Sequence, residues 1–187
     1  MGVAQISFWV FVAVLVFWAV GAYNRLVRLR AAIKQAFTAA ESHIRQRDAL
    51  LAQWAEASKA QADGESHVAD AVLAACGQVL AASDHARAWP SGARAIASLR
   101  LAEEVLGDAR ARLTTELAAV AHMSSISITP PVIAPTPQAE ALAAVDASLG
   151  FARCQYNDAA QTYNDAVAQF PTWVIAGVVG FRAAGAL

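Results

Sequence analysis

Few residues in this sequence are able to do chemistry, and their spacing argues against most of it. Histidines stand at His43, His67, His85 and His122, and none lies four residues from another histidine or from a cysteine, the spacing that sets two ligands on one helix face. Each is expected to be an ordinary exposed or partly buried helix residue. Cys76 and Cys154 are far apart and have no CxxC spacing, so neither a disulfide framework nor a zinc site is supported. Both read as small apolar side chains. Glu103-Glu104 is a paired acid, but adjacent helix residues point in different directions, and a solvated face explains the pair better than acid–base catalysis. No HExxH, P-loop, GxGxxG or GxSxG occurs, so the sequence predicts no catalytic residue, no cofactor and no metal, and no enzyme of a class that leaves such a motif.

One pattern is out of the ordinary. Every tyrosine is followed by asparagine, in Tyr23-Asn24, Tyr156-Asn157 and Tyr163-Asn164. The last two pairs are seven residues apart and so repeat on one face of a helix. Asparagine is a mediocre helix former, and its double use at heptad spacing needs a reason. Two remain open: buried asparagines that fix the register against a neighbouring helix, the first being the expected partner, or asparagines in water beside packed tyrosine rings.

The elements that position these residues are helical. Hydrophobic residues make up 57% and charged residues 16% of the 187, and much of the apolar share is alanine, the best helix former. Val3 to Ala22 carries no charge and is long enough to span a bilayer core. Trp9 lies within it, and Trp18 and Tyr23 lie towards its end, where amphipathic rings favour the headgroup level. Ala19-Val20-Gly21 resembles a signal-peptidase site, but a basic n-region is lacking and the run exceeds an ordinary h-region. Residues 1–22 are therefore expected to be a retained transmembrane anchor.

The formal net charge of −1 hides an asymmetry. Arg25, Arg28, Arg30, Lys34, Arg45 and Arg47 follow the anchor with only Glu41 among them. This clustering points to a membrane surface and not to nucleic acid, and it places the body in the cytoplasm.

After the anchor, Leu26, Leu29, Ile33, Phe37, Ala40, Ile44, Leu51 and Trp54 recur at helical steps. No Gly or Pro interrupts them before the turn signal Asp63-Gly64, so the spanning helix is expected to run on into the body. A second helix is expected from Glu65 to about Ala88, a third from about Ala93 to His122, and a fourth from Pro137 to about Gln169. Trp89-Pro90-Ser91-Gly92 separates the second from the third. Ser124 to Pro137 holds four prolines and no charge, and reads as a surface loop or a partner-binding polyproline strip. The expected fold is all-α, a transmembrane helix continuing into an antiparallel bundle of about four long helices over residues 23–170. The first helix exceeds the others in length, which leaves part of it as a stalk or covered by other copies. Residues 171–187 form an apolar tail, too short for an ordinary span. Trp173, Phe181 and the small residues Gly177 and Gly180 would meet lipid or a neighbouring subunit there.

The run from Tyr23 to Leu51 directly after an anchor resembles the opening of the LemA family. The run ARCQYNDAAQTYNDAVAQFPTWVIAGVVGF, with its doubled Tyr-Asn and its Phe170-Pro171, is similar to that family's closing signature. Ala49 to Trp54 after Arg47-Asp48 stands where the family has an Ile-Pro-Asn-Leu-like stretch, so the resemblance is to a divergent member. It implies a bacterial inner-membrane protein, single-pass, with no established catalytic activity and links to membrane organisation or membrane proteases, and it transfers no catalytic residue. Tyr23, Asn24, Arg47, Asp48, Tyr156, Asn157, Tyr163, Asn164, Phe170 and Pro171 are expected to set packing, while Trp9, Trp18, Arg25, Arg28 and Arg30 are expected to meet the membrane. Two functions follow. One is a scaffold that contacts the lipid bilayer, self-assembles as a homo-oligomer or recruits other membrane proteins. The other is a sensor binding a small ligand or partner helix, with His43, Arg47 and Asn157 as its only candidate polar residues.

Overall fold

The computed structural model describes residues 2–61, 66–124, 137–170 and 172–187. The protein is all-α, with α1 (Val3–Gln61), α2 (His67–Ala88), α3 (Ala93–Ser124), α4 (Pro137–Ala168) and α5 (Thr172–Val179), followed by a closing segment, residues 181–187, outside any helix. The turn expected at Asp63-Gly64, residues 125–136 of the proline-rich stretch, and Pro171 lie outside the described residues.

α1 is one helix of 59 residues with two surroundings. Its most apolar stretch, near the N-terminus, is long enough to cross a membrane and almost wholly unburied. From Leu26 onwards one stripe is sealed. Leu26, Ile33, Phe37, Ala40, Ile44, Leu51 and Ala55 are each at most 1% exposed, at steps of three, four and seven that return to one side of an α-helix. Burying each of the larger side chains contributes roughly 1.5–3 kcal/mol, so tertiary packing holds this half of α1 in the bundle.

The partners supply matching stripes. α2 brings Ala69, Val72, Ala75, Cys76, Val79 and Ala86, and α3 brings Ile96, Leu99, Leu106 and Leu113. α4 brings Leu142, Leu149, Tyr156, Ala160 and Tyr163. Ser66 caps α2, its Oγ accepting the Ala69 N–H at 3.2 Å. α1 packs along α4 and α2, and α2 along α3, but no comparable packing joins α3 to α4.

Two ends can be named. At the near end Val27 to Lys34 of α1 faces Arg87 to Ser91, and Tyr23 lies against Phe181, their rings 6.1 Å apart. At the far end Lys59 pairs with Asp70 at 2.7 Å. Burial on α1 begins at Ala22 and Leu26 and reaches Ser58. No bare stalk is therefore present: the length that α1 has in excess is its apolar N-terminal part.

The tail departs most from expectation. It adds a fifth helix that packs on α1 and α4 of the same chain. Gly180 at φ 82° ends α5, and its N–H and that of Phe181 both donate to Ala176 O at 2.9 Å. That left-handed turn reverses the chain and returns residues 181–187 along α4.

Candidate functional site

Tyr156-Asn157 and Tyr163-Asn164 hold the closing segment by its backbone. Asn164 Oδ1 accepts the Ala184 N–H at 2.7 Å while its Nδ2 donates to Ala184 O at 3.1 Å. Asn157 does the same at Leu187, at 2.9 and 3.1 Å. The Tyr163 hydroxyl donates to Arg182 O at 3.0 Å, and the Tyr156 hydroxyl lies 2.8 Å from Pro90 O and 3.1 Å from Gly185 O. Seven residues of α-helix rise about 10.5 Å, and three residues of extended chain cover about 10 Å. A heptad on α4 therefore matches the three-residue step from Ala184 to Leu187 and from Arg182 to Gly185. The amide side chain is suited to the task because it presents one acceptor and one donor to a backbone that offers one of each.

These contacts replace the expected role of the asparagines. Their amides, half-buried, meet a non-helical segment of their own chain and not a neighbouring helix. The tyrosine rings do pack: Tyr156 is fully buried, edge-on to Phe37 at 6.1 Å, and burial raises the pKa of both phenols. Gly185 makes the close approach assigned above to Gly177 and Gly180. A Cβ on Gly185 would sit 3.0 Å from Ala93 Cα and 3.2 Å from Ile96 Cβ, whereas one on Gly177 would meet nothing within 4 Å.

A second constellation lies midway along the bundle. Arg47, 6% exposed, donates to Glu103 at 2.6 and 2.9 Å and to Asp48 Oδ1 at 2.7 and 3.1 Å. Arg153 of α4 reaches the same Glu103 at 2.8 Å, and Arg110 of α3 pairs with Asp146 of α4 at 2.7 Å. Charges thus bridge the gap between α3 and α4, around a cavity of about 290 Å³. Burial works against the Arg47 charge, but Glu103 and Asp48 outweigh it, and its pKa lies above the ordinary value. For Asp48 burial prevails over the attraction of Arg47, and its pKa is raised. Pairing favours the charged form of both, but Arg47 has Glu103 as well as Asp48 to outweigh its burial, and Asp48 has chiefly Arg47. Among the described residues Asp48 Oδ2 is buried without a hydrogen-bond partner.

Sequence reasoning missed two acids. Glu103 is drawn inwards by Arg47 and Arg153, while only Glu104 keeps a solvated position beside Arg100. Glu41 is 2% exposed and takes hydrogen bonds from Arg45 and Arg87 at 3.0–3.1 Å. Each stands at helical spacing from core residues, Glu103 between Leu99 and Leu106 and Glu41 between Phe37 and Ile44. That periodicity was the available signal.

The remaining expected positions are scattered. Trp9 (63%), Trp173 (55%) and Phe170 (76%) are exposed, and Phe170 does not pack because it sits in the turn after α4. Trp18 is 38% exposed, and Asn24, Arg25, Arg28 and Arg30 are exposed along α1. His43 is half-buried, with no side-chain bond among the described residues, so it does not join Arg47 and Asn157, which take separate partners. Cys76 is buried and Cys154 exposed, and burial raises the Cys76 thiol to about 11. Among the described residues no cluster of His, Cys, Asp and Glu is placed to hold a metal.

No curated protein and no solved structure matches this chain. The LemA family model matches residues 137–187, the stretch containing both tyrosine–asparagine pairs and the backbone they hold. Over that stretch, somewhat over a quarter of its length, the chain is similar to the LemA family.

Proposed function

We propose that this protein is a membrane-anchored helical scaffold that self-assembles or recruits partners at a bacterial inner membrane. The supporting observation is the placement of exposed apolar side chains. Among the described residues, all the large ones apart from Leu101, Val105 and Phe151 lie on α1 from Ile6 to Val27 or at the near end, at Trp89, Phe170, Trp173, Val174, Val178 and Val179. In water such a concentration is a liability. In a bilayer the first part of α1 is the span, and the others meet the interface around its base. α1 runs unbroken from that apolar part into the bundle core, so the body is held rigidly to the anchor. Arg25, Arg28, Arg30 and Lys34 directly after the span support a body on the cytoplasmic side.

One experiment reads both parts of the proposal. Intact cells are treated with a membrane-impermeant thiol reagent, and the full chain is then extracted in mild detergent and weighed by native mass spectrometry. The expected result is unlabelled Cys154, the exposed cysteine, in an assembly of several copies. A labelled chain reverses the orientation, and a monomer carrying a small molecule replaces the scaffold with a sensor.

A further inference from the structure

We propose that the near-end cavity between α1 and the α2–α3 turn holds the phosphate of an anionic phospholipid headgroup. This rests on the membrane reading above and adds a specific site to it. The cavity measures about 330 Å³ and is lined by Val27, Arg30 and Lys34 of α1, Arg87 of α2, and Pro90 and Ser91 of the turn. Three cations and a hydroxyl therefore face it, and no carboxylate lines it.

Two of the three cations are not already neutralised. Among the described residues Arg30 and Lys34 make no ion pair, whereas Arg45, Arg47, Arg87, Arg110 and Arg153 all do. Arg87 is held from behind by the buried carboxylate of Glu41, at 2.9–3.0 Å, which fixes its guanidinium at the rim. Val27, Arg30 and Lys34 are spaced by three and four residues and share one face of α1.

The level fits a headgroup. The twenty-residue apolar run covers about 30 Å, the thickness of a hydrocarbon core. The Cα of Val27 then lies roughly 8 Å from its end, at the outer edge of the headgroup layer, with those of Arg30 and Lys34 about 12 and 18 Å from that end. Side chains on a helix lean towards its N-terminus, which on α1 is the direction of the bilayer, so Arg30 and Lys34 reach back towards the lipid phosphates. An arginine fork and a lysine ammonium are complementary to phosphate oxygens. The C-terminal carbonyls of α2 and the N-terminal amides of α3 flank the same turn with opposite polarity, so the side chains decide the sign of the site.

The test compares two double variants of the full chain with equal charge change. Arg30→Gln with Lys34→Gln removes the unpaired cations of the cavity. Arg25→Gln with Arg28→Gln removes two cations of the same helix that do not line it. Each protein, in mild detergent with equal phosphatidylglycerol and phosphatidylcholine, is examined by native mass spectrometry for retained lipid, with circular dichroism confirming the fold. The parent and the Arg25/Arg28 variant are expected to retain phosphatidylglycerol preferentially, and the Arg30/Lys34 variant to lose that preference at least tenfold. Equal losses in both variants, or none in either, would overturn the site. Displacement of the lipid by millimolar inorganic phosphate would reassign the cavity to a free anion and overturn the lipid assignment. Because the measurement is made in detergent, failure of the site is distinct from failure of the anchor, which would appear as a chain absent from the membrane fraction.

Discussion

The two halves of the bundle solve the same problem with different chemistry. Along its length α3 stands away from α4, and something must fill or bridge the gap. In the middle and towards the far end, charges reach across it, Arg153 to Glu103 and Arg110 to Asp146, while Arg47 of α1 holds Glu103 from the third side. At the near end the closing segment lies in the gap, pressed against Ala93 and Ile96 at Gly185 and held to α4 by neutral hydrogen bonds from two tyrosines and two asparagines. Neutral amide–backbone bonds need no counter-charge and are not screened by salt, whereas the ionic bridge depends on every partner being present. Under the proposed membrane placement the near end can thus keep its form against a charged surface, where an ion-pair bridge would face competition from lipid phosphates.

The largest effect is expected in the ionic half. Arg47→Met leaves Asp48 buried without its cation and Glu103 with Arg153 alone, and should destabilise the body by about 3 kcal/mol or more in denaturant unfolding. A loss below about 1 kcal/mol would mean that the bridge is peripheral. In the neutral half, Asn157→Leu with Asn164→Leu removes four hydrogen bonds to the tail, with an expected loss of about 2–4 kcal/mol. That loss is bounded by the free energy of docking the segment, since the tail can detach while the helices remain. An unchanged melt would show that the segment is held by packing alone.

Asp48 sharpens the comparison through pH. Burial raises its pKa in the folded protein, so its contribution to stability is fully present below the unfolded value, about 3.9, and is lost as pH rises through the folded value. Asp48→Asn keeps an acceptor for Arg47 and removes this dependence. Relative to the parent, the variant should gain stability as pH rises from about 4 to 7, and at pH 7 should lie within about 1 kcal/mol of it or above it. A parent that gains on the variant over that range would show that pairing with Arg47 outweighs burial.

The sequence disclosed the helices and their buried faces because apolar spacing reports them directly. Leu26, Ile33, Phe37, Ile44 and Leu51 on α1, and Ile96, Leu99, Leu106 and Leu113 on α3, follow the 3.6-residue period and are buried. The Tyr-Asn repeat could be seen but not interpreted. Heptad spacing suggests a helical partner, yet the same 10.5 Å fits three residues of nearly extended chain, and spacing alone does not distinguish them. The fold-back of the tail was hidden for a related reason. Trp173 to Phe181 reads as apolar whatever it touches, and the informative residues are Gly180, which allows the reversal, and Gly185, which allows the close approach. Glu103 reads as part of a solvated face and Glu41 as a lone acid in a basic run because acids are presumed to face water, although both fall on core stripes.

Amide hydrogen exchange at Ala184 and Leu187 tests the clamp most directly, because each N–H is donated to one asparagine side chain. In the intact chain both amides are predicted to exchange as slowly as the mid-helix amides of α4, and to exchange freely once Asn157 and Asn164 are replaced by leucine. Rapid exchange at both positions in the unaltered protein would contradict the account, since the closing segment would then not be part of the bundle.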